Sequence, residues 1–477
     1  MVNLSKLDPE IAEIISSLTP ERRAEIEKKV KLKIDLILFP MLLIFYILNY
    51  IDRGALAFAK LVGIEEDLNL KGAEFATCLS ILYVGYCLFQ VPSNLMLSKA
   101  KPAIYLSSCM LIWGIVSGCS AAVHNFTGLV IARFFLGIVE APFFPGAIFM
   151  ISSWYKKDEM AMRCAILFGG NFISNACGSF IALGVTNSLD GVHGLESWRW
   201  LFLIEAAMTV GFALFAYFAL PNYPHNTFWL KSEERAVAIW RLVDDDGAND
   251  TSEDNQVSML EGLKMAVRDY KTWFLVANHS LITTGAGIVV FYPTVVKTLG
   301  FNRTITYALV APPYMLAFAT TVYACYLSGK NNEKTWHMVS TMIVTLVGLV
   351  ILASTLNTGA RYFSLFLVTC FVYISYNCNL AWISACMPHP SAKRAAAIGL
   401  VNMIGQSGNI IAGYIYPNNQ APRYWLACVV EGVAILLAIC VTFTFRELLK
   451  RENKKLEERE RLEGHESGTT EKFRYVY

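Results

Sequence analysis

Twelve stretches of the chain are apolar at nearly every position for about 20 residues, the length a helix needs to cross the hydrocarbon core of a bilayer. They cover residues 34–53, 75–97, 104–123, 127–151, 163–187, 200–220, 273–296, 305–327, 337–356, 361–386, 395–417 and 424–446. Each is apolar all round, which predicts helices bounded by lipid and by one another, since a backbone amide inside a bilayer must find its partner within its own segment. Charge resumes at Asp52 and Arg53 and a charged head of 33 residues comes first, so the first stretch is expected to remain as a span and not to be cleaved as a leader. The expected fold class is all-α, a membrane protein of twelve transmembrane helices.

The longest polar interval, 221–272, divides the spans six and six. It opens with the helix-start signal Ser232-Glu-Glu-Arg235, continues helical to Val243 and becomes acidic over 244–255, which reads as a flexible connector. An internal repeat supports the division. Carboxamides stand eight and twelve residues after an arginine in two places, Arg163 with Asn171 and Asn175, and Arg394 with Asn402 and Gln406. Parallel-repeat carriers contain two six-span halves of this kind. The expected organisation is a tail 1–33, a six-helix bundle 34–220, a central loop 221–272, a second six-helix bundle 273–446 and a charged, disordered tail 447–477.

Composition agrees with a bilayer as solvent: 55% of residues are hydrophobic and 16% charged, with mean hydropathy +0.44, where soluble chains carry roughly a quarter charged residues. A net charge of +2 gives no reason to expect a nucleic-acid partner. With the tails and alternate loops on one side, that side holds most of the Lys and Arg, so both termini are expected in the cytosol and the plasma membrane is the expected location. Thr19 and Pro20 start a helix whose Lys28, Lys29, Lys31 and Lys33 are expected to meet the anionic leaflet. All 12 cysteines lie in apolar runs without a CxxC pair, and no two histidines are spaced as metal ligands, so no enzyme is expected.

Ionisable groups inside spans are costly unless they face a cavity or a partner. Asn49, Asp52 and Arg53 share a face at the outer end of the first span by i, i+3 and i+4 spacing, and Arg133 and Glu140 return to one face of the fourth span seven residues apart. Two acids and two bases of this kind predict competition: an anion pairing with Arg53 or Arg133 would release Asp52 or Glu140 to take a proton, making the loading of both cooperative. A static interhelical ion pair is the alternative. Tyr86, Gln90, Asn171, Asn402 and Gln406 are candidate substrate contacts. His279 is expected to be a packing residue, and Glu205 and Glu431, nearer span ends, to be structural. Gly137, Pro142, Pro145 and Gly146 are expected to bend the fourth span.

The stretches Asn49-Tyr-Ile-Asp-Arg53, Tyr86-Cys-Leu-Phe-Gln90, Arg133-Phe-Phe-Leu-Gly137-Ile-Val-Glu140-Ala-Pro-Phe-Phe-Pro145-Gly146 and Trp198-Arg-Trp-Leu-Phe-Leu-Ile-Glu205 resemble the major facilitator superfamily, and within it the fungal allantoate-permease-like branch of the anion:cation symporters. The resemblance implies the two-bundle major facilitator fold and alternating access, with Asp52 and Glu140 as proton-coupling acids. Arg53, Arg133, Asn49, Tyr86, Gln90, Asn171, Asn402 and Gln406 become substrate-binding candidates. The chain departs from the superfamily at Ser93 to Pro102, where Lys99 and Lys101 stand without the acidic residue that usually gates the cytosolic side.

The expected activity is secondary active transport, a proton-coupled uptake of a small organic anion such as a nicotinate-like vitamin monocarboxylate or an allantoate-like solute. No cofactor beyond the proton gradient is expected, and the partners are the anion, protons and the bilayer, with the carrier a monomer. Two other readings stand beside it: a uniporter or exchanger of a neutral or zwitterionic solute such as an amino acid or dipeptide, and a transporter-like nutrient sensor.

Overall fold

The computed structural model describes residues 8–97, 101–249, 258–331, 333–387, 390–462 and 474–476, and among them all regular structure is helical. Span one is Pro20–Ala59, span two Glu74–Leu97, span three Pro102–Cys119, span five Lys157–Ser188 and span six Ser197–Ala219. Span eight is Arg303–Lys330, span nine Thr335–Ser354, span ten Thr358–Cys386 and span twelve Trp425–Leu462. The other three are broken. Span four changes direction between Phe126–Glu140 and Phe143–Ser152, where Pro142 and Pro145 lack the amide that would continue the ladder. Span seven runs Tyr270–Gly285, then a 3-10 turn Gly287–Val289, then Tyr292–Lys297, and span eleven is Ser391–Gly405 followed by Ser407–Tyr414.

Ten of these segments are long and apolar enough to cross a bilayer; span two qualifies only as the shorter apolar stretch Glu74–Gln90, and broken span seven falls below that length. Helix packing gathers the spans into two bundles. Span one packs on five and six, two on four, and three on four and six; span seven packs on ten, eleven and twelve, eight on ten, and nine on ten and twelve. Span five against eight, and span two against eleven, join the bundles. Glycine permits the closest of these approaches: a Cβ on Gly85 or Gly137 would strike the backbone of the partner helix at the contact between spans two and four.

Three expectations give way. Span one does not end at Arg53 but runs from Pro20 to Ala59, so the basic head is the first part of the same helix, with Thr19 Oγ1 accepting from the Arg22 amide at 3.3 Å. The interval 221–272 is not a loose connector. Its helix Ser232–Asn249 is clamped at the end of the molecule that carries the termini, where Lys33 of span one reaches Glu234 at 2.7 Å and fully buried Arg241 pairs with Glu159 of span five. A second helix, Met259–Arg268, lies on span eleven with Gly262 against Ala392. Residues 250–257, which include the end of the acidic run, lie outside the described residues, as does Lys99.

The final span continues to Leu462, so the tail from Glu447 begins as helix, and Trp382 Nε1 donates to the Val476 carbonyl at 2.8 Å while Asn453 brackets Tyr475 with two hydrogen bonds of 2.9 Å. Residues 463–473 of that tail lie outside the described residues.

Candidate substrate site

A cavity of about 140 Å³ lies between the bundles, with its walls drawn from both. Arg53 and Arg133 line it, and among the described residues no carboxylate does. Carboxamides supply neutral hydrogen-bonding groups: Asn171 and Asn175 from span five, Asn377 from span ten, and Gln406 and Asn409 from span eleven. Tyr50, Tyr83, Phe168, Phe172, Tyr373 and Tyr376 supply most of the flat apolar wall. A side chamber continues past Asn49, Arg53, Tyr86, Asn402 and Gln406.

Arg53 is the hinge of the chemistry. Its Nε donates to Glu140 Oε2 at 2.5 Å, and its guanidinium lies over the rings of Tyr86 at 4.7 Å and Tyr50 at 5.2 Å. Glu140 is 0% exposed and is the last residue of the helix Phe126–Glu140, immediately before the break in span four. The acid therefore lies behind the arginine, with the arginine between it and the cavity. A guanidinium so placed is able to bind an anion from the cavity side in competition with Glu140.

The remaining predicted residues divide. Arg133 lines the cavity, donates from Nη1 to the Asp52 carbonyl oxygen at 3.3 Å and faces the Phe202 ring at 5.5 Å. Asn171 donates to the Tyr373 hydroxyl at 3.2 Å across the bundles and accepts from Asn175 at 2.9 Å. Gln406 donates to the Tyr376 hydroxyl and to Asn402 Oδ1, both at 3.4 Å. Asn49 and Tyr86 reach only the side chamber.

Two residues are elsewhere. Asp52 does not share the face of Asn49 and Arg53: its carboxylate is turned into the first bundle, where Ser117 of span three donates at 3.0 Å and Thr209 of span six at 2.9 Å. Each residue advances a helix by about 100°, so a neighbour of Arg53 has to look away from it. Gln90 is buried, lines neither cavity, and its amide has no partner among the described residues.

Asn175, Asn377, Asn409 and the tyrosines were missed. Asn175 had a signal in its place within the repeat; the tyrosines had none, since an aromatic ring in an apolar run looks the same whether it packs or lines a cavity.

At the end opposite the termini the bundles are clasped. Lys60 Nζ donates to Asn418 Oδ1 at 3.0 Å, pairs with Glu65 at 3.3 Å and lies over the rings of Phe75 at 4.5 Å and Phe291 at 5.5 Å. Phe291 in turn stacks on Tyr416 with centroids 4.8 Å apart.

Known proteins resemble the whole of this architecture. A bacterial homologue of the human lysosomal transporter Spinster, solved in an inward-facing and occupied conformation, superposes with a TM-score of 0.65 at 14% identity, covering 86% of this chain and 96% of that one. The MFS-type transporter cnsO of Penicillium expansum is 32% identical over 90% of this chain and 84% of its own length. The high-affinity nicotinic acid transporter of Saccharomyces cerevisiae is 26% identical over 91% of this chain and 80% of its own. The family model described as Major Facilitator Superfamily matches residues 42–413. The resemblance read from the Arg133 to Gly146 stretch is thereby borne out at the level of the superfamily: the chain is a membrane transporter and belongs to the Major Facilitator Superfamily.

Proposed function

We propose that the protein takes up a small organic monocarboxylate together with a proton, by alternating access about the central cavity. The observation that carries this reading is the Arg53–Glu140 pair, an arginine at the wall with its one carboxylate partner among the described residues buried behind it. A substrate carboxylate displacing Glu140 from Arg53 leaves that acid unpaired in a poorly hydrated place, where taking a proton is the cheaper outcome. Proton and anion then load together. Tyrosine and phenylalanine walls with interspersed carboxamides favour a planar, nicotinate-like solute, and a nicotinic acid transporter is among the relatives. The excess of Lys and Arg on the side of the termini supports their placement in the cytosol, with the plasma membrane as the site of uptake.

Proteoliposomes loaded under an inward acid gradient and offered radiolabelled nicotinate, with a panel of other carboxylates, test the reading. Accumulation should collapse with the gradient, and Glu140→Gln should abolish accumulation while leaving counterflow exchange. Accumulation that survives both interventions would establish instead a uniporter or exchanger in which Arg53 and Glu140 form a fixed strut.

A further inference from the structure

Five ionisable side chains are gathered inside the first bundle, with Arg53 and Arg133 reaching the cavity wall. Asp52, Glu140 and Glu205 are 0% exposed and Arg133 is 1% exposed, while the Arg53 side chain is 10% exposed. Three acids thus face two arginines, and full ionisation would leave one negative charge unbalanced in a medium where an unpaired ion is strongly unfavourable. A carboxyl group in that position is relieved by holding a proton. The geometry shows which one. Glu140 is paired with Arg53 at 2.5 Å, and Asp52 accepts a hydroxyl hydrogen bond on each oxygen. Neither oxygen of Glu205 has a hydrogen-bond partner among the described residues.

Glu205 lies well inside span six, beside the pair of groups that feel it electrostatically, Asp52 of span one and Arg133 of span four. Span three meets span six through Gly114, Gly118 and the Ser120–Ala122 turn, and its sequence holds no Asp, Glu, Lys, Arg or His. Arg133 offers two further donors, Nε and Nη2, that are likewise buried without a partner. The site is a patch of unspent polarity, one acid and one half-used arginine: Arg133 also reaches the cavity wall, and Glu205 does not.

We propose that Glu205 is a protonation site of the carrier, holding a resident proton that makes the interior of the empty first bundle electrically neutral, with Asp52 and Glu140 ionised against Arg133 and Arg53. A monocarboxylate on Arg53 then adds one negative charge, and one proton taken by Glu140 restores the balance, so the empty and loaded carriers both cross between conformations without net charge in this bundle. Only this last step rests on the proton-coupled reading; the resident proton does not.

The test uses the full chain purified in detergent, without substrate. Glutamine has the shape of a neutral glutamic acid, so Glu205→Gln should fold and melt at the wild-type temperature from mildly acidic to mildly alkaline buffer. The infrared carbonyl stretch of a protonated acid without hydrogen bonds should be present in the wild type and diminished in Glu205→Gln, a change that a merely structural residue would not produce. If Glu205 is instead ionised against Arg133, Glu205→Gln strips a compensating charge, and it will melt earlier or fail to fold, with the infrared band unchanged; either result overturns the proposal. Loss of gradient-driven accumulation in the wild type, with the Glu205 band intact, would remove proton coupling and leave the resident proton standing.

Discussion

At Arg53 a guanidinium does three things that an ammonium does not do together: it donates from Nε to Glu140, spreads over Tyr86 and Tyr50, and still presents its outer edge to the cavity. Planarity makes this possible, because a fork of fixed donors stacks on rings while bonding at its rim. Arg53→Lys is therefore expected to keep the charge but lose the bidentate grip on a carboxylate. About 1.4 kcal/mol of lost binding corresponds to a tenfold rise in the KM of uptake, read from the concentration dependence of initial rates; an unchanged KM would place the substrate elsewhere. Such charges were visible in the sequence because an ionisable residue in an apolar run has to be accounted for. Their pairing was not, since Arg53 and Glu140 lie on different helices whose packing the sequence does not show, and Asp52, which adjoins Arg53 in sequence, ends up serving spans three and six.

At the scale of elements, long apolar runs made all twelve spans legible, and what they did not show was where a span breaks. Span seven is broken at Ala286, and its pieces are short enough to fall below the length of a crossing helix. The helix Ser232–Asn249 reads as part of a loose connector for a different reason: Ala236, Val237 and Ala238 make only a short apolar face, and the sequence gives no hint of the charges on other helices that meet Glu234 and buried Arg241.

Close helix approach is the element-level feature most open to test. A Cβ at Gly137 would overlap the Leu82 carbonyl and crowd the Tyr86 amide on span two. Neither is a flexible side chain that gives way, so Gly137→Ala should cost about 1–3 kcal/mol or more, seen as a lowered melting temperature in detergent. Because Tyr86 lies under Arg53, the same substitution should also weaken substrate binding. A variant that melts and transports as the wild type does would mean that spans two and four are farther apart than described.

Across the whole molecule, the end with the termini is held by ion pairs that depend on pH. Burial works against the charge of Glu234, yet Lys33 and the Lys231 amide outweigh it and hold its carboxyl below the ordinary value of 4.5. Asp269, whose carboxylate is bonded by Lys393 at 2.5 Å, is likewise held below 3.8 against the cost of burial. Groups with depressed values add stability that is fully present above the unfolded value and is lost as pH falls through the folded one. Melting temperature should therefore hold steady from neutrality down to about pH 4–5 and drop below it, and the drop should shrink in Lys33→Met and Lys393→Met. A constant melting temperature across that range would show that these pairs contribute nothing.

Span one joins the two ends of this description. Lys33, clamped to the helix of the central interval, and Arg53, at the cavity wall, are carried on one continuous helix, and twenty residues of helix are about 30 Å of stiff rod. The helix Ser232–Asn249 is therefore freight fastened to the first bundle, and any tilt of that bundle must haul it along the membrane surface. A bulky binder gripping Ser232–Asn249 would brake the cycle from outside the bilayer, with the substrate chamber untouched.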